Sequence, residues 1–184
     1  MQGNAREWKQ DLLAGKLDTE IFKSVGWLLG TLHSGSWEDS EIAERVGDQR
    51  FFEELRIDPY YKQIARVHPA LQPAIDGLLS DLADQRHCLV HGDFSPKNML
   101  VDDTALSRLM LLDFEVGHFG DPAFDLGFFL THLVIKSIRD SPRVVQYAAM
   151  AQIFIEEYQR VMLPRVGEAV VAEIERRGCT NLGA

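Results

Sequence analysis

Residues 88–101 read CLVHGDFSPKNMLV: three β-prone apolar residues, a loop holding a histidine, an aspartate, a lysine and an asparagine, then three more β-prone residues. A further β-prone run, Arg108 to Leu112, follows the polar turn Asp102-Asp103-Thr104, so MLV and this run should pair as a hairpin. Strand signals occur nowhere else in the chain. That confines the β-structure to one small hairpin and leaves the rest to helices.

The helical signals are periodic. Ile21, Phe22, Val25, Leu28, Leu29 and Leu32 fall at helical spacing behind Asp18 and Thr19, either of which can cap. Asp58-Pro59 and Ser141-Pro142 each place proline at a first helical position behind a capping residue. Leu71, Ile75, Leu78, Leu79 and Leu82 form a second apolar stripe. Asp121-Pro122 opens a helix that turns Leu126, Phe129, Leu130 and Leu133 inward. A long helix is predicted from beyond Ser141 to about Pro164, and a last one carries Val166, Val170 and Ile174. Residues 179–184 lack periodicity and are expected to be a disordered tail. Phe22 and Trp27 are core candidates, Trp37 is expected to be partly exposed, and the acidic run from Trp37 to Glu41 reads as a solvated helix start. The expected class is α+β, mainly α, with residues 1–184 in a single domain.

Composition narrows the function. A net charge of -9 supplies no basic stripe for nucleic acid and is compatible with a cationic substrate. The longest apolar run, Leu126 to Ile135, is broken by Gly127, Thr131 and His132 and is too short to span a bilayer, so no membrane partner is expected. Cys88 and Cys179 do not make a disulfide framework, and the N-terminus is too polar for a signal peptide. Both point to the cytoplasm.

The chemistry lies in the spacing. His91-Gly92-Asp93, four residues, then Asn98 is the His-x-Asp-x4-Asn pattern of a kinase catalytic loop, and Asp113-Phe114-Glu115 falls where a metal-binding Asp-Phe-Gly would stand. Asp93, Asp113 and Glu115 would gather negative charge in one pocket. Like charges about 4 Å apart repel by roughly 1–4 kcal/mol at effective dielectrics between water and a protein surface. A hard cation with oxygen ligands reverses that cost. The alternative is that these carboxylates are separate, solvated turn residues. Lys97 has two open readings, a point charge on a phosphate or a solvated lysine. His87, Cys88 and His91 cannot share zinc in an extended run, where residues four apart stand about 13 Å from each other. His33 reads as a packed or capping histidine, and His118 as loop packing.

HGDFSPKNML followed by LLDFEVGHFGDPAFDLGFFL resembles the C-terminal lobe of the aminoglycoside phosphotransferase and choline kinase family, which is related to the protein kinases. VGWLLGTLHS and REWKQDLLAG resemble that family's helix before the catalytic region and the segment after its hinge. The resemblance implies a protein-kinase-like fold, ATP and Mg²⁺ as cofactors, and a small-molecule alcohol as acceptor. It further implies Asp93 as catalytic base, His91 in an orienting part, Asn98 and Asp113 as magnesium ligands, and Asp125 as a brace of the loop. Glu115 stands in place of a glycine, either to touch a metal or a cationic substrate, or as a solvated strand-end residue. The family's N-terminal lobe, with its Gly-rich loop and paired lysine, is not recognisable in residues 1–87. Two expectations follow: a kinase lobe cut from a longer enzyme, or a non-catalytic, pseudokinase-like binding module whose uncovered face promotes self-association.

Overall fold

The computed structural model describes residues 5–102 and 109–181. In chain order these form β1 (Arg6–Glu7), α1 (Trp8–Leu13), α2 (Thr19–Gly35), α3 (Ser40–Arg45), α4 (Arg50–Phe52), a π-helical stretch (Glu53–Lys62), α5 (Gln63–Val67) and α6 (Gln72–Asp84). Then come β2 (Cys88–Val90), β3 (Met99–Val101), β4 (Leu109–Leu111), β5 (His118–Gly120), α7 (Pro122–Arg139), α8 (Val144–Val166) and α9 (Glu168–Thr180). The chain is mainly helical with small antiparallel sheets, the α+β class that the sequence suggests.

The expected hairpin forms: β3 pairs β4 with Met99 opposite Leu111 and Val101 opposite Leu109. Asp103, Thr104 and Arg108 of that hairpin lie outside the described residues. Two strands escaped the pattern because they are too short to show alternation. β1 adds to β3, and β5 pairs β2 with Val90 opposite His118 and Cys88 opposite Gly120. The β2–β5 ladder brings the entrance of the polar loop beside the N-terminus of α7.

The caps are partly as read. Asp18 and Asp121 accept from Glu20 N–H and Ala123 N–H, each at 2.9 Å, and Asp39 caps α3. Asp58-Pro59 does not start a helix: Pro59 sits inside the π-helical stretch, where wider bonding tolerates its missing N–H. Ser141-Pro142 opens a short 3₁₀ turn before α8, which runs past Pro164 to Val166. α9 extends to Thr180 and Asn181 is buried, so chain order persists into the expected tail; residues 182–184 lie outside the described residues.

One aromatic chain forms the centre of the core. Trp8 packs on Phe22 and Phe129 at 5.0 and 6.0 Å, and Phe129 meets Phe94 and Phe154 at 5.7 and 4.4 Å. All five are fully buried. Trp27, a core candidate, is instead 49% exposed, while Trp37 is buried and stacks on His87 at 4.9 Å. The reason is that α2 meets α8 through small residues. A Cβ on Gly26 would lie 2.4 Å from Phe154 O, and one on Gly30 would lie 2.8 Å from Val161 Cβ. The close face of α2 belongs to its glycines, and Trp27 points away.

That contact gives opposite signs for two substitutions. Gly26→Ala should lower the melting temperature, because overpacking against backbone costs about 1–3 kcal/mol against roughly 1 kcal/mol of gained helix propensity. Gly77→Ala in α6, where a Cβ meets nothing within 4 Å, should raise it through a gain of about 0.5–1 kcal/mol. Calorimetry of the two variants checks both.

Candidate active site

The polar loop is held from beneath by a buried carboxylate. Asp125, in the first turn of α7, accepts His91 N–H at 2.7 Å and Gly92 N–H at 2.9 Å. Its Oδ2 also faces His33 Nε2 at 3.4 Å, and His33 Nδ1 lies 3.0 Å from the Tyr158 hydroxyl. Burial alone would raise the Asp125 carboxyl, but the His33 hydrogen bond, the His33 and His91 rings and the His91 N–H outweigh it and hold it below the usual range. The loop can turn here because Gly92 takes φ +75, and a Cβ there would meet Val116 O at 2.8 Å.

His91 ties the loop to the next strand. Its Nδ1 accepts Asp93 N–H at 3.1 Å, which leaves the proton on Nε2 to donate to Leu112 O at 2.9 Å. Leu112 N–H donates in turn to Asn98 O at 2.9 Å. Leu112 is therefore clamped from both ends of the loop, and Asp113, the next residue, takes φ +64, an uncommon conformation for a residue with a Cβ. Phe94, one residue past Asp93, plugs the loop into the aromatic core.

Asp93 is 3% exposed, and its Oδ2 is a meeting point. Asn98 Nδ2 donates to it at 2.9 Å, Arg56 Nη2 lies at 2.9 Å and Lys97 Nζ at 2.8 Å. Arg56 also donates from Nε to Gly92 O at 2.9 Å. Spacing had not singled out Arg56: it reaches the loop from the π-helical stretch, 36 residues upstream. Phe94, His33 and Tyr158 were likewise not assigned to the site. The expected pocket of three carboxylates is not formed. Asp113 and Glu115 are exposed, and among the described residues no three His, Cys, Asp or Glu side chains converge as a metal cluster. The charge of Asp93 is compensated by Arg56 and Lys97. The solvated reading of Lys97 gives way to an ion pair, although the residue stays half-exposed.

A divalent ion still fits the donor set beside Asp93. Asn98 spends its amide N–H₂ on Asp93, which leaves its carbonyl oxygen, and the Asp113 carboxylate has no partner among the described residues. Mg²⁺ keeps several waters and takes one or two protein oxygens plus phosphate oxygens, so it needs no all-protein cage. His118 and His87 are structural. His118 is buried against Phe52 at 4.0 Å, with burial lowering its pKa, and His87 stacks on Trp37.

A cavity of about 780 Å³ opens over Asp93 and Lys97, walled by Tyr60, Tyr61 and one face of α7. No helix among the described residues is long and apolar enough to cross a membrane.

Comparison with known proteins accords with this geometry. Residues 7–163 match the model of a family described as "Phosphotransferase enzyme family". The mouse protein "Acyl-CoA dehydrogenase family member 10" is 22% identical over 168 residues, which is 89% of this chain and 14% of that protein. Mouse "Acyl-CoA dehydrogenase family member 11" is 30% identical over 113 residues, 58% of this chain and 14% of that protein. The matched stretches thus cover about one-seventh of each relative's length.

The brace makes a stability prediction with a pH signature. Asp125→Ala orphans two buried N–H groups and should cost about 3–5 kcal/mol in urea unfolding. Because the folded carboxyl titrates below its unfolded value of about 3.9, its stabilisation is fully present above that pH. The gap between wild type and variant should therefore narrow as pH falls below about 4.

Proposed function

This chain belongs to the phosphotransferase enzyme family, and from that premise we propose that it is the C-terminal lobe of a protein-kinase-like enzyme that transfers phosphate from ATP to a hydroxyl of a small molecule. The observation that carries the reading is Asp93: a buried carboxylate on a braced loop, opening into a cavity large enough for a small acceptor. Its Oδ2 is occupied by Asn98, Arg56 and Lys97, so Oδ1 is the oxygen that receives an incoming hydroxyl. Asp93 orients that hydroxyl and takes its proton as the oxygen acquires the phosphoryl group.

The surrounding residues act by position and charge. His91 fixes the Asp93 backbone on one side and Leu112 on the other, so the base and Asp113 keep their spacing. Arg56 and Lys97 place two positive charges beside the reacting oxygen, where negative charge develops. When bound, Mg-ATP supplies the phosphoryl group and a compensating cation, which Asn98 and Asp113 would hold. Glu115, exposed near the same strand end, is the further candidate ligand of the ion. The dehydrogenase named in the two relatives is not carried over, since the matched stretch is 14% of each.

Asp93→Asn keeps the shape of the side chain and removes the proton acceptor. In the complete enzyme, turnover in a phosphotransfer screen against small alcohols should fall about 10²- to 10⁴-fold, with the circular dichroism spectrum unchanged. Near-normal turnover in that folded variant would remove Asp93 from this role. A complete wild-type enzyme that phosphorylates nothing would leave a binding module.

A further inference from the structure

The cavity above Asp93 has a definite shape. Phe124, Phe128, Thr131, Ile135 and Ile138 all line it, and all come from α7 at intervals of three, four and seven residues. The fourteen residue steps from Phe124 to Ile138 extend about 21 Å along the helix axis, at a rise of 1.5 Å per residue. Tyr60 and Tyr61 add aromatic surface. A groove of this length and lining takes an elongated ligand better than a compact, highly hydroxylated one.

Its charges disfavour a cation. Among the described lining residues Asp93 is the one carboxylate, and Arg56 and Lys97 already neutralise it. Lys136, next to the lining residue Ile135, is partly buried and directs its ammonium toward His132 O at 3.5 Å. Burial, and then Lys9, lowers Lys136 to about 8; burial, and then Lys136, lowers His132 to about 4. An amine in this groove would find no unpaired carboxylate among the described lining residues. Asn181, 6% exposed, belongs to the same lining, and its buried Oδ1 has no hydrogen-bond partner among the described residues.

We propose that the acceptor is an alcohol carried on an extended apolar body without a cationic group, lying along α7 with its reacting hydroxyl at Asp93. This departs from the cationic acceptor with which the net charge of the chain is compatible. It rests on the phosphotransferase reading only for the fate of the hydroxyl; the binding itself does not.

The test is titration of the protein, without nucleotide, with straight-chain α,ω-diols of four, six and eight carbons and with choline. Affinity should rise roughly fourfold per methylene, from the transfer free energy of a buried CH₂. Choline should bind more weakly than the six-carbon diol. Ile135→Asp, at a site 57% exposed and therefore safe for folding, should weaken the eight-carbon diol by about tenfold. Affinity independent of chain length, choline equal to or better than the diol, or an unaffected Ile135→Asp would each overturn the proposal. Phosphorus NMR of the complete enzyme with Mg-ATP and the tightest diol is read separately. Chain-length-dependent binding without phosphoryl transfer would sink the phosphotransferase reading and leave the groove assignment standing.

Discussion

The acceptance of two consecutive backbone N–H groups by the buried Asp125 carboxylate is the contact on which the rest of the site depends. His91 and Gly92 stand at a reversal where the chain leaves β2 and can make no ladder bonds, so their donors need a partner that the strand cannot provide. Asp125 supplies it from the first turn of α7, where the positive end of the helix dipole favours a negative charge. His33 and Tyr158 complete the set from α2 and α8, the two helices packed through Gly26 and Gly30. Helix packing at the centre of the molecule is thereby coupled to the orientation of one loop.

From that anchor, order passes outward in short steps. Phe94 is buried by the aromatic core immediately beyond Asp93, and His91 bridges Asp93 to Leu112. A residue so clamped on both sides can hold its successor, Asp113, in a left-handed conformation that would otherwise be disfavoured. The same helix that contributes the brace also forms the long wall of the cavity. One face of α7 therefore sets both where Asp93 sits and what can approach it, whereas Leu126, Phe129 and Leu133 on its other side fill the core.

Electrostatic compensation took a form that local spacing does not reveal. Carboxylates at strand ends suggested a cluster waiting for metal. In the folded chain Asp93 is paired with Arg56 and Lys97, and Asp113 and Glu115 remain in solvent. Buried Asp93 meets the cost of its charge with protein cations.

What the sequence alone determined was local: the His91–Asp93–Asn98 spacing, the caps Asp18 and Asp121, the inward face of α7 and the β3–β4 hairpin. These follow from side-chain periodicity and from hydrogen bonds within a few residues, both written in adjacent positions. Only the tertiary structure decided that Trp27 faces solvent and Trp37 does not, and that Pro59 lies within a helical stretch. It also decided that Arg56, 37 positions before Asp93, pairs with it, and that His33 and Tyr158, 125 residues apart, share one buried polar network with Asp125. Those outcomes depend on which helix surfaces approach closely enough to exclude water, a property of pairs of elements that no single segment carries.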